Sequence, residues 1–174
     1  MAESLSGKLL IASPSMSDYF RRTVLLVVEH TADGAFGLVL NRPSEATVGE
    51  VAPDLAELIG EDHILHIGGP VQSNAVTAIG EHAESAEATK LIVGTVGMVD
   101  LDQPPELAQV KVFAGYSGWT AGQLDGEVEA EAWIVEQAQT NDPFTDGDLW
   151  AAVLERMGDE FALLARMPSD PSLN

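Results

Sequence analysis

Apolar and polar positions along this chain change period several times, and each change predicts an element. Gly7 to Ala12 reads as a first strand, stopped at Ser13-Pro14 because proline donates no ladder hydrogen bond and biases its predecessor towards extended geometry. A short turn or single helical turn is expected from Ser15 to Phe20. Thr23 to Glu29 is a continuous β-branched and leucine-rich run, the pattern of a strand buried on both faces. The break at His30 to Gly34 suits a five-residue hairpin loop, Ala35 to Leu40 returns as a second buried strand, and Asn41-Arg42-Pro43 closes it with turn chemistry.

Further along, Thr47 and Glu50 have capping-box spacing and Pro53 restarts the pattern, which predicts two short helical pieces. His63 to Ile67 reads as a strand ended by Gly68-Gly69-Pro70, with Ala75 to Ile79 as its neighbour. Glu81 to Thr89 is expected to be a loop or weak helix. Lys90 to Val93 and Val110 to Ala114 are strand candidates, and the proline-bearing segment between Asp102 and Leu107 is a candidate helical turn. Gly115-Tyr116-Ser117-Gly118-Trp119 reads as a glycine-punctuated corner around which the rest packs, its glycines permitting unusual backbone angles and its aromatics supplying apolar bulk. A helix capped by Thr120 and Gln123 should follow, with Leu124 and Val128 on its inner stripe, and then an extended segment from Ala132 to Val135. Asp146 is the expected cap of a last clear helix through Leu149, Trp150, Val153, Leu154 and Met157, stopped by Gly158, while Phe161 to Ala165 is apolar but ambiguous. One domain over residues 1–174, with a surface tail from about 167, is the expected organisation.

Composition removes several functions. There is no cysteine, hence no disulfide framework, thiolate zinc site or cysteine nucleophile. The longest strongly apolar run, Val24 to Val28, is far short of a membrane span and the N-terminus lacks a leader pattern, so a soluble cytoplasmic protein is expected. The net charge of −20 is concentrated beyond residue 44, where 4 Lys/Arg face 24 Asp/Glu. A field of that sign repels phosphate backbones and opposes direct nucleic-acid binding. An unidentified protein partner is the expected kind of partner, with no membrane and no cofactor.

The chain resembles the YqgE/AlgH family of bacterial proteins. The resemblance rests on Glu29-His30 followed by Gly34 to Pro43, on Gly68-Gly69-Pro70-Val71, on Gly115 to Trp119 with Gly122-Gln123-Leu124 and Glu127, and on Ala132-Trp133. It implies an α+β fold with a complex, largely antiparallel β core, partly closed like a barrel and flanked by helices. It implies no established reaction, although a transcriptional-regulator label travels with the family. Ser117 stands where the family commonly has alanine, and His66 where it usually has an apolar or aromatic residue.

Each candidate chemistry meets a spacing test. Gly115-Tyr116-Ser117-Gly118-Trp119 is a glycine-x-serine-x-glycine elbow whose last glycine is replaced by Trp119, and all four histidines precede the serine, which opposes hydrolysis. The glycines at 115, 118 and 122 before a helix offer amides to an anion, but no P-loop lysine follows. His63 and His66 are three apart, a spacing that sends them to opposite faces of a strand and leaves no expected metal site. Glu29-His30 and Asn41-Arg42 end two paired strands and form a polar set in which Arg42 either bonds local carbonyls or binds a partner carboxylate. The candidate ligand or partner site is therefore Asn41, Arg42, Tyr116, Ser117, Gly118, Trp119 and Gln123, with no catalytic residue assigned. The leading expectation is a non-catalytic protein acting through protein contacts in regulation or assembly. A small-molecule or anion-binding domain, enzymatic or not, built on residues 115–123 is the second, and a transcriptional regulator the third.

Overall fold

The computed structural model describes residues 4–16 and 19–166, so the expected tail lies outside the described residues, as do Ser17 and Asp18 of the expected turn. In chain order the elements are β1 (Lys8–Ala12), β2 (Val24–Thr31), β3 (Gly34–Val39), β4 (Pro43–Thr47), α1 (Val48–Val51), α2 (Pro53–Ile59), β5 (Ile64–Ile67), β6 (Val71–His82), β7 (Lys90–Val93), β8 (Val96–Met98), β9 (Leu107–Thr120), α3 (Gln123–Glu129), β10 (Trp133–Gln137), α4 (Leu149–Arg156) and α5 (Asp159–Ala165). No helix among the described residues is long and apolar enough to cross a membrane.

The strands form one ten-stranded sheet in the order β10-β1-β2-β3-β9-β6-β8-β7, with β4 and β5 off this path. Neighbours are antiparallel apart from β5, which runs parallel to β9. The fold is mixed α+β, but the sheet is not closed into a barrel as expected: its end strands β10 and β7 pair only with β1 and β8. The curl brings Gly7 so near β7 that a Cβ there would stand 2.8 Å from the Ile92 carbonyl oxygen. What fills the seam is a helix. Leu149, Trp150, Val153 and Leu154 of α4 share one apolar cluster with Leu9 and Ile11 of β1 and Val96 of β8. Trp150 Nε1 also donates to the Ala12 carbonyl at 2.8 Å.

The unbroken apolar run of β2 follows from this layering. Val24, Leu26 and Val28 face the α4 cluster, whereas Leu25 and Val27 face a second cluster with Trp119, Leu124 and Trp133. With period-2 alternation, a strand between two cores must be apolar at every position. A third cluster packs Val48, Leu55 and Ala56 of the α1–α2 pair on Leu65, Ala78 and Val112. Thr47 Oγ1 accepts from the Glu50 amide, as the cap spacing predicts.

Several expectations are corrected. The β2–β3 ladder continues to Thr31↔Gly34, leaving the two-residue turn Ala32-Asp33 rather than a five-residue loop. Pro43, expected to close a turn with Asn41 and Arg42, instead opens β4, which runs to the helix cap Thr47, and the segment containing Ala75 to Ile79 pairs with β8 and β9, not with β5. The short β8 was not anticipated, and 102–107 contains no helical turn. Asp148, not Asp146, caps α4 by accepting from the Ala151 amide at 3.1 Å. Phe161 to Ala165 belongs to a helix, α5.

The largest correction concerns the glycine stretch. It is not a corner between elements but the second half of β9, a fourteen-residue strand. At Gly115, φ is +75° and an added Cβ would stand 2.5 Å from the Gly69 carbonyl oxygen, so only glycine fits the bend. Before the bend β9 pairs with β5 and β6. Beyond it, Ser117 to Thr120 pair with Gly37 to Gly34 of β3. The true turn comes later, at Ala121-Gly122, with Gly122 in the left-handed region at the start of α3.

Candidate functional site

A groove of about 820 Å³ opens where β9 leaves β6 to join β3. It exists because β6 bulges: Val71 pairs with Tyr116 and Val76 with Ala114, so the residues between them swing out of the ladder. The floor is apolar, with Phe36 and Leu38 of β3, Val71 of β6, Met98 of β8 and Tyr116 of β9. Phe36 and Tyr116 meet edge to face, their ring centroids 6.0 Å apart. The rim carries Glu29, Asp33, Gln72, Thr120 and Gln123, and no lysine or arginine lines the groove.

At one end stands a tryptophan pair. Trp119 and Trp133 pack at 76° with centroids 6.4 Å apart, and both indole N–H groups donate to one oxygen of Glu127, at 3.0 and 2.9 Å. The other Glu127 oxygen accepts from Gln123 Nε2 at 2.9 Å, and Gln123 Oε1 accepts from the Thr120 amide at 3.0 Å. The expected cap at Thr120 does not form: Gly122 is the N-cap of α3, without a side-chain cap bond, and Gln123 instead holds the end of β9 through the Thr120 amide. The helical spacing of four residues puts Gln123 and Glu127 on one face of α3. One carboxylate on α3 therefore fixes the ends of β9 and β10 together.

The candidate residues separate into two places. Tyr116, Gly118, Trp119 and Gln123 border the groove. Ser117 is 1% exposed, and its hydroxyl donates to the Gly68 carbonyl at 3.2 Å. Asn41 and Arg42 are not at the groove. Asn41 accepts from the Val24 amide and donates to the Arg22 carbonyl, while Arg42 Nη2 donates to the carbonyls of Tyr19 and Arg21 at 3.0 and 2.7 Å. Both side chains clasp the segment before β2. Glu29 borders the groove, but His30 is buried: its Nδ1 accepts from the Leu5 amide at 2.9 Å and its Nε2 lies 3.4 Å from Asp125. The polar set at the hairpin ends is thus not one site. His63 and His66 each bond a nearby carbonyl, of Ile59 and Ile64, and among the described residues no cluster of three or more His, Asp or Glu is placed to hold a metal.

Sequence reasoning missed Glu127 as a functional anchor and the apolar floor entirely. The signal for Glu127 was available, four residues after Gln123 and eight after Trp119. Nothing in the sequence brings Phe36, Val71 and Met98 together, because that requires the β3-β9-β6-β8 order.

An AlgH-like family model matches residues 9–162, almost the whole described chain. The chain belongs to the AlgH-like family. A UPF0301 protein of Mycobacteroides abscessus is 43% identical over 182 residues, covering 97% of this chain and 88% of the relative. A UPF0301 protein of Streptomyces coelicolor is 39% identical, covering 98% and 96%. Among solved structures of similar fold, a Corynebacterium diphtheriae protein superposes with a TM-score of 0.84 at 30% identity, covering 95% of this chain and 94% of that one. The AlgH protein from Pseudomonas aeruginosa gives a TM-score of 0.73 at 31% identity, covering 97% and 96%. None of these names specifies a reaction, so for this AlgH-like chain the functional reading rests on the groove.

Proposed function

We propose that this AlgH-like protein is a non-catalytic binding domain whose groove holds an extended, cationic and apolar segment of a protein partner, in regulation or assembly. The observation that carries the reading is the groove itself: an apolar floor under an acidic rim, with no basic side chain. Its floor suits apolar side chains, Glu29 and Asp33 suit lysine or arginine beside them, and the net charge of −20 draws such a segment in. The same charge repels nucleic acid, so a regulatory role runs through protein contacts. The glycine stretch supports binding rather than anion capture, because its backbone from 117 to 120 lies in the sheet alongside β3.

The test is fluorescence anisotropy with a labelled peptide alternating lysine and leucine, against a reference peptide of equal charge with serine in place of leucine. The leucine peptide should bind at least tenfold more tightly. Val71→Gln, at a residue 36% exposed on the groove floor, should remove most of that difference. Equal binding of the two peptides, or a difference that Val71→Gln leaves intact, refutes the reading.

A further inference from the structure

A second cleft, of about 320 Å³, lies at β5 and β9 and is lined by His63, His66, Gln109, Lys111, Phe144 and Asp146. Lys111 is the unusual residue in it. It sits in β9 between Val110 and fully buried Val112, and its amine donates to the Leu40 carbonyl at 2.8 Å. That bond anchors the nitrogen, and Lys111 is one of the residues that line the cleft. The titratable groups lining the cleft with it are His63, His66 and Asp146. His66 Nδ1 lies 3.2 Å from the Ile64 carbonyl, which can only accept, so Nδ1 carries the hydrogen and the lone pair is on Nε2. Burial and the neighbouring Lys111 charge push the His66 pKa down to about 4, so the imidazole is neutral near pH 7. Burial pushes Lys111 down to about 8, partly opposed by the Asp146 carboxylate.

We propose that the Lys111 amine is a nucleophile presented to small aldehydes and ketones entering this cleft, which it captures as an imine. The amine lone pair forms the N–C bond and the carbonyl oxygen takes up a proton. The resulting carbinolamine then loses one water as the C=N bond forms. Amine plus carbonyl gives imine plus water, with no change in oxidation level. Solvent water takes the proton that leaves nitrogen, and Phe144, which lines the cleft, gives the carbonyl compound's carbon chain an apolar wall. This site is independent of the partner groove: it shares no lining residue with it.

The chain has lysines only at 8, 90 and 111, which makes the test internally controlled. The folded protein is incubated with butanal and sodium cyanoborohydride at pH 7.4, and alkylation at each lysine is followed by peptide mapping. With its pKa near 8, about 0.2 of Lys111 is neutral at that pH, against about 0.001 for an ordinary lysine, a roughly 200-fold advantage that restricted access lowers. Lys111 should be alkylated at least fivefold faster than Lys8 and Lys90, and Asp146→Asn should speed it further. In urea the preference should disappear. A Lys111 rate at or below those of the other two lysines overturns the proposal. So does a preference that survives in urea, or an Asp146→Asn variant that reacts no faster.

Discussion

Replacing Gly115 by alanine tests whether the bend in β9 is the constraint on this fold. Two costs add at that position. A left-handed backbone costs an L-residue about 1–2 kcal/mol, and φ here is +75°. The new methyl would also stand 2.5 Å from the Gly69 carbonyl oxygen and 3.2 Å from that of Val71. Both neighbours are backbone within the same fold and cannot rotate away, so a further 1–3 kcal/mol of overpacking strain is expected. The sum, about 2–5 kcal/mol, is a large share of the roughly 5–15 kcal/mol that stabilises an ordinary domain. Equilibrium urea unfolding reads it directly: with a slope near 2 kcal/mol/M, the midpoint should fall by about 1–2.5 M. Gly126→Ala is the control, since a Cβ there meets nothing within 4 Å and lies inside α3. It should be neutral or stabilise by up to about 1 kcal/mol. A Gly115→Ala loss below 1 kcal/mol, or one matched by the control, refutes the claim that close backbone approach dictates glycine here.

Three further outcomes follow from particular contacts. Glu127→Ala leaves two indole N–H groups without their acceptor and should cost about 2–4 kcal/mol in urea unfolding, while Glu127→Gln keeps one acceptor oxygen and should cost less than half as much. Arg156→Ala removes both guanidinium bonds to Asp142, a carboxylate only 4% exposed, and should cost about 1–3 kcal/mol, read as a lowered Tm. Lys111→Met should be stabilising near neutral pH. Burial lowers the folded pKa from 10.5 to about 8, so between these values the unfolded chain binds more protons and the wild-type protein gains stability as pH rises. The advantage of the variant, about 1–2 kcal/mol below pH 8 after the lost bond to Leu40 is allowed for, should close by pH 10.5; an advantage independent of pH contradicts this.

Local patterns made most elements legible. The doubly buried run of β2, the Thr47 cap and the inner stripe of α3 all express short-range periodicity or side-chain-to-backbone bonding, which a sequence carries explicitly. The glycine stretch was misread because Gly115 and Gly118 look alike in sequence. Only the neighbour across the sheet shows that one marks a backbone collision with Gly69 while the other has no backbone atom within 4 Å of its added Cβ. Closure was misjudged for a similar reason: whether β7 meets β10 depends on α4, whose apolar face says that it packs but not where. Of the candidate site, Tyr116, Gly118, Trp119 and Gln123 gather at the groove because they lie close together in the chain, while Ser117 between them is buried. Asn41 and Arg42 separate from it, since their turn faces residues 19–24.

The partnership of β1 with β10 has a consequence for biosynthesis. Residues 8–12 wait for residues 133–137, so at roughly 5–20 residues per second one flank of the most apolar hairpin stays uncovered for roughly 6–25 seconds after it leaves the ribosome. β9, which knits three earlier strands together, arrives only shortly before. A nascent chain stalled before Trp133 would thus present a sticky ledge to solvent, and the acidic excess beyond residue 44 supplies the mutual repulsion that keeps such ledges apart.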